Sequence, residues 1–371
     1  MNNKSNISSH NDKSISIIVA GGGTGGHLMP AIALCEILKE EGYNPILLTD
    51  QRCKGYLPAN LKFPVEISSL NRPSLSGIFY CIYDLALGVI RSFRISSKYK
   101  AKLVIACGGY TCAPLLVASI LRITPFILQE QNAIIGKVNY YFGYFAKKLF
   151  ISFIHTTNLP FIASKRIIWA PMPLLAKHTT IKAKKESQDD RFVILITGGS
   201  QGANIFDELI TESILLTSQN LKSKTIKVIQ QSATKGEEIA KKYKEAGIKC
   251  ITEKFFHNIE EYYNEADLFI GRAGASTVNE IMQYQIPSIL IPYPYAANNH
   301  QYYNAKNLEE FSAGWVVMQK DITSKKLSLL ISEIIDSKEL RRNASINLSN
   351  IRIDSKDIIL NCIKKIIDKS N

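Results

Sequence analysis

The sequence lacks several features that would assign it to common protein classes. Its seven cysteines form no C-x-x-C pair and no Cys/His spacing typical of a metal site, so they are expected to be reduced, mostly buried thiols. The first fourteen residues are polar, so no signal peptide is expected. Asp84 and Arg122 interrupt the longest apolar runs before either reaches the roughly 18 residues that a membrane-spanning helix needs. These absences predict a cytosolic protein that does not span a membrane.

Acidic residues are fewer than basic ones, which leaves a formal net charge of +13. Such an excess suits nucleic acid or an anionic membrane surface, although a lysine-rich solvated surface gives the same total. Basic motifs with interleaved aromatic residues are absent, so no nucleic-acid partner is expected. With 371 residues, 46% of them apolar, the chain is long enough for two domains that each have a core.

A glycine cluster, GGGTGGH at residues 21–27, follows an apolar run at 14–20 and precedes an apolar-periodic segment at 28–41. This order predicts a strand, a tight loop and a helix whose N-terminus can hold an anionic group. The glycines also fit G-x-G-x-x-G, and Asp50 ends the next apolar run about where a ribose-binding carboxylate would lie. An NAD(P)-dependent dehydrogenase is therefore one hypothesis. His27 is interpreted either as a group for acid-base chemistry or as a helix-terminal residue that caps or packs.

Short apolar runs alternate with helical patterns along the whole chain, which predicts parallel sheets covered on both faces. The run at 103–107 leads into GGY (108–110), and the run at 125–128 leads into QEQN (129–132). Residues 171–190, with two prolines and then a lysine-rich polar run, are predicted to be a linker. The run at 192–197 then enters GGSQGA (198–203), which resembles a second copy of the first strand and loop. The predicted fold class is α/β with two Rossmann-like domains.

The predicted domain organisation follows from these shifts in pattern. It comprises a polar tail at 1–14, an N-terminal domain at 15–172, a linker at 173–190, a C-terminal domain at 191–345, and a helical tail at 346–371 that can pack back on the N-terminal domain. The stretch from Ser324 onward is predicted to form one or two basic amphipathic helices. A helix at 78–97 has a wide apolar face beside a basic cluster, which is typical either of an interfacial membrane helix or of a core-facing helix with a basic C-terminus.

Three clusters fall at strand ends in the second half of the chain: residues 198–203, residues 273–280, and His300 with Gln301 and Asn304. Backbone amides at two helix N-termini can hold a diphosphate, and a carboxylate just inside a helix, such as Glu280, can bind a ribose diol. Amide side chains can hydrogen bond to sugar hydroxyls. Together the clusters indicate a nucleotide-sugar site.

Six strings, in order, resemble the MurG family of N-acetylglucosaminyltransferases: GGGTGGH (21–27), GGY (108–110), EQN (130–132), GGSQGA (198–203), RAGASTVNE (272–280) and HQYYNA (300–305). The resemblance covers at least residues 15–305. It implies a GT-B architecture, in which two Rossmann-like domains with parallel sheets face each other across a cleft. It also implies inverting transfer of GlcNAc from UDP-GlcNAc to the C4 hydroxyl of MurNAc in undecaprenyl-pyrophosphoryl-MurNAc-pentapeptide, the step from lipid I to lipid II in peptidoglycan synthesis.

The resemblance also implies which residues bind the two substrates. The donor would be contacted by Thr24, Gly25, Gly26, Asn132, Ser200, Gln201, Phe256, Ala275, Ser276, Glu280, His300 and Gln301. The acceptor would be contacted by the first glycine loop and by Gly108, Gly109, Tyr110 and Asn139. For the catalytic base that takes the acceptor proton, His27 is the first candidate and Glu130 the second.

No metal and no cofactor are expected, because the chain has no Asp-x-Asp sequence and no cluster of metal ligands. Backbone amides and helix dipoles would stabilise the diphosphate instead. The expected partners are UDP-GlcNAc, lipid I, an anionic membrane surface and other wall-synthesis proteins. The expected location is peripheral, on the cytoplasmic face of the bacterial inner membrane.

Two departures from the family pattern concern the donor side and the residue before EQN. Gln129 stands where the family usually has His, and Leu175 stands where it usually has Arg. Three alternatives stay open: the dehydrogenase, which leaves the second glycine loop and HQYYNA unexplained; another GT-B enzyme with a lipid acceptor, such as a diacylglycerol glycosyltransferase; and a nucleotide-sugar sensor or inactive scaffold, which the missing Arg favours.

Overall fold

The computed structural model describes residues 15–23, 25–68, 78–162, 164–173, 191–198, 204–221 and 225–369. Within them the chain forms two α/β domains, and each domain is built on one parallel β-sheet. The predicted site residues Thr24, Ser200 and Gln201 lie outside the described residues, as do Leu175 and nearly all of the predicted linker.

The first sheet has seven strands in the order β3-β2-β1-β4-β5-β6-β7. Its strands are β1 (Ser16–Ala20), β2 (Asn44–Asp50), β3 (Val65–Ser68), β4 (Leu103–Ala106), β5 (Phe126–Glu130), β6 (Lys148–Ile151) and β7 (Ile167–Trp169). Its helices are α1 (Gly25–Glu40), α2 (Ile78–Lys98), α3 (Ala113–Leu121) and α4 (Lys137–Gly143). Alternate residues of β1 enter separate cores on the two faces of the sheet, Ile17 on the α1 side and Ile18 on the α3 side.

The second sheet has six strands in the order β10-β9-β8-β11-β12-β13. Its strands are β8 (Arg191–Thr197), β9 (Thr225–Gln231), β10 (Lys249–Glu253), β11 (Leu268–Gly271), β12 (Ser288–Leu290) and β13 (Trp315–Val316). The helices that follow in this half are α5 (Asn204–Asn220), α6 (Gly236–Glu245), α7 (Ile259–Glu265), α8 (Ala275–Tyr284), α9 (His300–Glu310), α10 (Ser324–Asp336), α11 (Lys338–Asn350) and α12 (Lys356–Asp368). All described strand pairs in both sheets are parallel.

The C-terminal region forms three helices, so the prediction of one or two helices after Ser324 was wrong. Ser337 ends α10 and caps α11 by accepting a hydrogen bond from Leu340 N, which divides one apolar pattern into two helices. Helix α11 packs on the second domain through Leu348, and the predicted boundary at 345/346 lies inside it. Helix α12 packs on the first domain, where Ile359 and Ile363 join the core formed by α1.

The two domains share a hydrophobic contact below the cleft. Ala133 and Phe153 of the first domain belong to the same buried cluster as Val278 and Leu308 of the second. Among the described helices, none combines the length and the apolar character needed to cross a bilayer.

Candidate functional site

The strand order of each sheet reverses once, and the glycine loops lie at those two points. In the first sheet the chain proceeds from β1 and from β4 towards opposite edges of the sheet, so residues 21–23 and 108–110 flank the gap between these two parallel strands. In the second sheet the chain likewise proceeds from β8 and from β11 towards opposite edges. Residue 198 and the segment at 272–276 therefore flank the gap between these two strands. Ligands of open parallel sheets bind at such switch points, beyond the carboxyl ends of the strands.

The His27 imidazole lies directly against the second glycine loop. A Cβ atom on Gly108 would be 3.2 Å from His27 Cδ2, and one on Gly109 would be 3.6 Å from His27 Nδ1. Both glycines have positive φ, +83° and +79°, which other residues rarely adopt. The two loops therefore come together because glycine provides both the backbone conformation and the space for the ring.

Burial sets the protonation state of His27. Burial first, and the nearby His300 second, lower the pKa of the imidazole from 6.5 to about 4. His300 begins α9 in the second domain, and its Nδ1 lies 2.8 Å from the Ala297 carbonyl oxygen. His27 is therefore neutral near pH 7, and it shares the cleft with a residue of the opposite domain.

Glu130, the second candidate for the catalytic base, is enclosed by hydrogen-bond donors. It is 2% exposed. Its Oε1 accepts hydrogen bonds from Asn132 N at 3.0 Å and from the Asn132 amide, and its Oε2 accepts them from Gly136 N and Asn139 Nδ2, both at 2.9 Å. Burial raises the pKa of Glu130, and these donors offset only part of that rise. The carboxylate fixes the loop at 131–136.

Asn139 and Gln129 support the same loop. Asn139, predicted to contact the acceptor, is buried and donates from Nδ2 to Gln129 O and to Glu130 Oε2. Gln129 is also buried, and its Nε2 lies 3.3 Å from Ser152 Oγ, to which it donates. The residue that replaces the usual His is thus part of the strand-end scaffold, away from solvent.

In the second domain, α8 begins at Ala275. Gly274 precedes it and provides no capping side chain, so the amide groups of Ala275 and Ser276 remain at an uncapped helix N-terminus. Glu280 lies one turn further on, where its Oε2 accepts a hydrogen bond from the Tyr263 hydroxyl at 2.8 Å. Phe256 is buried, with its ring 4.8 Å from the ring of Tyr262.

Helix α9 begins at His300 and connects the two halves of the site. Gln301 accepts a hydrogen bond from Tyr293 N at 2.9 Å, which holds the loop before the helix. Asn304 is fully buried: its Oδ1 accepts from Ala133 N at 2.8 Å and its Nδ2 donates to Asn132 Oδ1 at 3.2 Å and to Ala273 O at 3.1 Å. One side chain of the second domain therefore holds the loop after Glu130.

The structure contradicts the ribose-binding role considered for Asp50. This residue is 1% exposed, and its oxygens accept hydrogen bonds from Arg52 N, Arg52 Nη2, Cys53 N and the Thr111 hydroxyl. A carboxylate enclosed in this way cannot bind a ribose diol. Of the two features that supported a dinucleotide site, only the glycine pattern therefore remains.

Arg272 is a site residue that sequence reasoning quoted without giving it a role. It is buried, and its guanidinium donates to the carbonyl oxygens of Ile291 and Pro292 and to Gln319 Oε1. It also lies 4.7 Å from the Phe206 ring centroid. A lone arginine directly after a buried strand is the signal that could have identified it.

Comparisons with known proteins agree with this geometry. The Glycosyltransferase family 28 N-terminal domain model matches residues 17–151, and the Glycosyltransferase family 28 C-terminal domain model matches residues 193–358. The crystal structure of Acinetobacter baumannii MurG superposes with a TM-score of 0.78 at 23% identity, covering 95% of this chain and 99% of that chain. Fold and site thus define a two-domain glycosyltransferase of GT-B architecture.

Curated relatives place the chain more narrowly. The enzymes named UDP-N-acetylglucosamine--N-acetylmuramyl-(pentapeptide) pyrophosphoryl-undecaprenol N-acetylglucosamine transferase in Rickettsia massiliae and Rickettsia canadensis are each 37% identical to it, over 95% of this chain and 99% of theirs. The chain belongs to the MurG family, within glycosyltransferase family 28.

Proposed function

We propose that the protein transfers GlcNAc from UDP-GlcNAc to the C4 hydroxyl of the muramoyl sugar in lipid I, with inversion at the anomeric carbon. The observation that carries the proposal is the meeting of the two halves of the site: His27 packs against Gly108 and Gly109 in the first domain, and Asn304 of the second domain hydrogen bonds to the loop after Glu130. The 37% identity with the relatives named above, which extends over 95% of this chain, supports the same substrates.

The second domain is assigned to the donor. The amides of Ala275 and Ser276 at the start of α8 would bind the diphosphate, and Glu280 would bind the ribose hydroxyls. His300, Gln301 and, from the other domain, Asn132 would contact GlcNAc. As the bond between the anomeric carbon and UDP breaks, the same helix N-terminus would stabilise the negative charge that develops on the diphosphate.

The first domain is assigned to the acceptor, with His27 as the catalytic base. The acceptor C4 hydroxyl gives its proton to the neutral imidazole while its oxygen attacks the anomeric carbon from the face opposite UDP. The bond to UDP breaks as the new glycosidic bond forms. Glu130 acts through the loop it anchors, by placing Asn132 beside the sugar.

The first domain is also assigned to membrane association, because its outer helices expose apolar and basic side chains together. Leu85 and Ile90 on α2 are 41% and 49% exposed, and Arg91 and Arg94 are exposed beside them. Ile123, just after α3, is 90% exposed. Such a surface suits the interface of an anionic bilayer, where a lipid-linked acceptor would be found on the cytoplasmic face of the inner membrane.

The test is transfer of radiolabelled GlcNAc by the purified protein to a short-chain lipid I analogue. The proposal expects a labelled disaccharide lipid that requires both substrates. A diacylglycerol acceptor in place of the analogue tests the other lipid glycosyltransferase, and nicotinamide absorbance tests the dehydrogenase. If the protein binds UDP-GlcNAc but forms no product with any acceptor, the sensor or scaffold hypothesis replaces this one.

A further inference from the structure

Arg52 lies where the two glycine loops of the first domain meet. Its Nη2 is 3.4 Å from the position that a Cβ atom on Gly23 would occupy, so the guanidinium borders the first loop. The guanidinium carbon is 4.9 Å from the centroid of the Tyr110 ring, so it also borders the second loop. A permanent positive charge is therefore held at the edge of the acceptor side of the cleft.

A buried carboxylate fixes the position of this charge. Arg52 Nη2 donates to Asp50 Oδ2 at 2.7 Å, and the Tyr110 ring packs against the guanidinium. Burial tends to raise the pKa of Asp50, but the donors around it, led by Arg52, outweigh burial and hold the pKa below its ordinary value. The carboxylate is thus ionised and orients Arg52 before any ligand binds.

The hydrogen-bonding requirement of the Asp50 carboxylate does not by itself explain why the Arg52 guanidinium lies here. Arg52 N, Cys53 N and the Thr111 hydroxyl already donate to the carboxylate. Within the part of the chain that the structure describes, Asp50 is the one side chain to which the guanidinium donates, and 44% of the Arg52 side chain is exposed. A guanidinium carries five N–H donors, so donors remain for an anion at this edge.

We propose that Arg52 binds the diphosphate of the acceptor. This inference rests on the proposed function, because it takes a sugar linked to a diphosphate as the acceptor. The planar guanidinium fits two phosphate oxygens at once, which a lysine ammonium does not. His27 lies against the same second loop, at Gly108 and Gly109. The C4 hydroxyl and the anomeric phosphate are at opposite ends of a hexose, so the two groups would contact different residues, His27 and Arg52.

Asp50 and Tyr110 are then positioning residues that act through Arg52. The carboxylate first considered as a ribose ligand of a dinucleotide instead directs a cation towards a phosphate of the acceptor. This assignment gives the acceptor side a charged contact in addition to backbone amides and the imidazole.

The test compares Arg52→Gln and Arg52→Lys with the wild type and with Lys54→Gln, a matched control that removes an exposed positive charge two residues away. Acceptor analogues carrying a diphosphate or a single phosphate at C1 are assayed for kcat/KM and, without turnover, for binding by calorimetry. Arg52→Gln is expected to raise the KM and the Kd of the diphosphate analogue by about 10- to 100-fold and to reduce the preference for diphosphate over monophosphate. Arg52→Lys should recover part of both effects. Lys54→Gln should leave the KM and the Kd of the diphosphate analogue unchanged, and the KM for UDP-GlcNAc should not change in the Arg52 variants.

An Arg52→Gln protein that keeps the diphosphate preference would overturn the inference, whether its affinity for the two analogues is unchanged or falls equally for both. Because binding is measured separately from transfer, failure of the wild type to transfer GlcNAc would count against the proposed function, whereas loss of the diphosphate preference in Arg52→Gln would still support Arg52 as the phosphate ligand.

Discussion

At the scale of the residue, burial is the main influence on the protonation of His27. The sequence places His27 just inside a predicted helix, where the positive end of a helix dipole favours the neutral form of an imidazole. The structure attributes the lower pKa first to burial against the glycine loops and then to His300. No local pattern contains this information, because His300 is brought to the cleft by the folding of a different domain.

We expect His27→Gln to lower kcat by about 10²- to 10⁴-fold with an intact fold, since a general base contributes on this scale. In the wild type the imidazole stays neutral until the pH approaches its pKa of about 4, so His27 should cause no acidic loss of activity between pH 6 and about 5. Rate profiles against pH for the two proteins measure both effects. Exposed His257, changed to Gln, is the matched control.

The same pKa predicts a stability effect with a defined sign. Between about pH 4 and 6.5 the unfolded chain binds a proton at His27 that the folded chain excludes, so the free energy of unfolding should decrease as pH falls through this window. Urea unfolding at several pH values should give a shallower decrease in His27→Gln than in the wild type. Equal slopes would mean that the imidazole is not buried as described.

At the scale of the element, the loop after β5 depends on one carboxylate. The EQN string identifies Glu130 and Asn132 as candidate site residues. The four hydrogen bonds to the Glu130 carboxylate could not be predicted from this string, because two of their donors, Gly136 N and Asn139 Nδ2, lie beyond it in the following segment. The sequence could indicate that Glu130 matters. It could not indicate that the carboxylate is enclosed.

Glu130→Gln is expected to lower the free energy of unfolding by about 1–3 kcal/mol, because an amide places an N–H group where an oxygen now accepts hydrogen bonds. Denaturant unfolding measures the change. Glu237→Gln, at an exposed position on α6, should stay within about 0.5 kcal/mol of the wild type. A Glu130→Gln protein of normal stability that has lost activity would restore Glu130 as a candidate base.

Strands and loops near the site were predictable because their signals are local. Apolar runs that end in glycine identify β1, β4, β8 and β11 together with the loops that follow them. The edge strands β3, β7 and β13 were missed because they have only two to four residues and are half-buried, so pairing with a neighbour and not side-chain pattern defines them.

Helix α2 gives a prediction about membranes. Leu85→Asn with Ile90→Asn should reduce flotation with anionic liposomes several-fold, since both side chains are exposed among basic residues. Leu329→Asn on α10 is the control, because Leu329 is 59% exposed but belongs to the other domain. Equal flotation of the α2 variant and the wild type would remove this surface from the proposal.

At the scale of the whole molecule, α9 of the second domain is linked to the loop after β5 of the first through Asn304. The repeat of strand and glycine loop predicted two similar domains, but sequence alone could not show that one buried amide joins them, because its partners are about 170 residues away along the chain. Similarly, α12 returns to the first domain through contacts that only the folded chain brings together.

Asn304→Ala is expected to loosen the contact between the domains, because Ala133 N and Ala273 O lose their partner in a buried position. Hydrogen exchange at residues 130–136 should become faster, by about 5- to 150-fold for a loss of roughly 1–3 kcal/mol. The exposed Asn343→Ala on α11 should leave exchange there unchanged. Unchanged exchange in Asn304→Ala would mean that the loop is held by Glu130 alone.

The most direct test of the account is the linkage of the product made from UDP-GlcNAc and the lipid I analogue, determined by nuclear magnetic resonance. The donor carries GlcNAc in the α configuration, so inverting attack by the C4 hydroxyl activated by His27 predicts a β-linked GlcNAc at C4 of the muramoyl sugar. An α linkage, attachment at another hydroxyl, or release of free GlcNAc without transfer would contradict it.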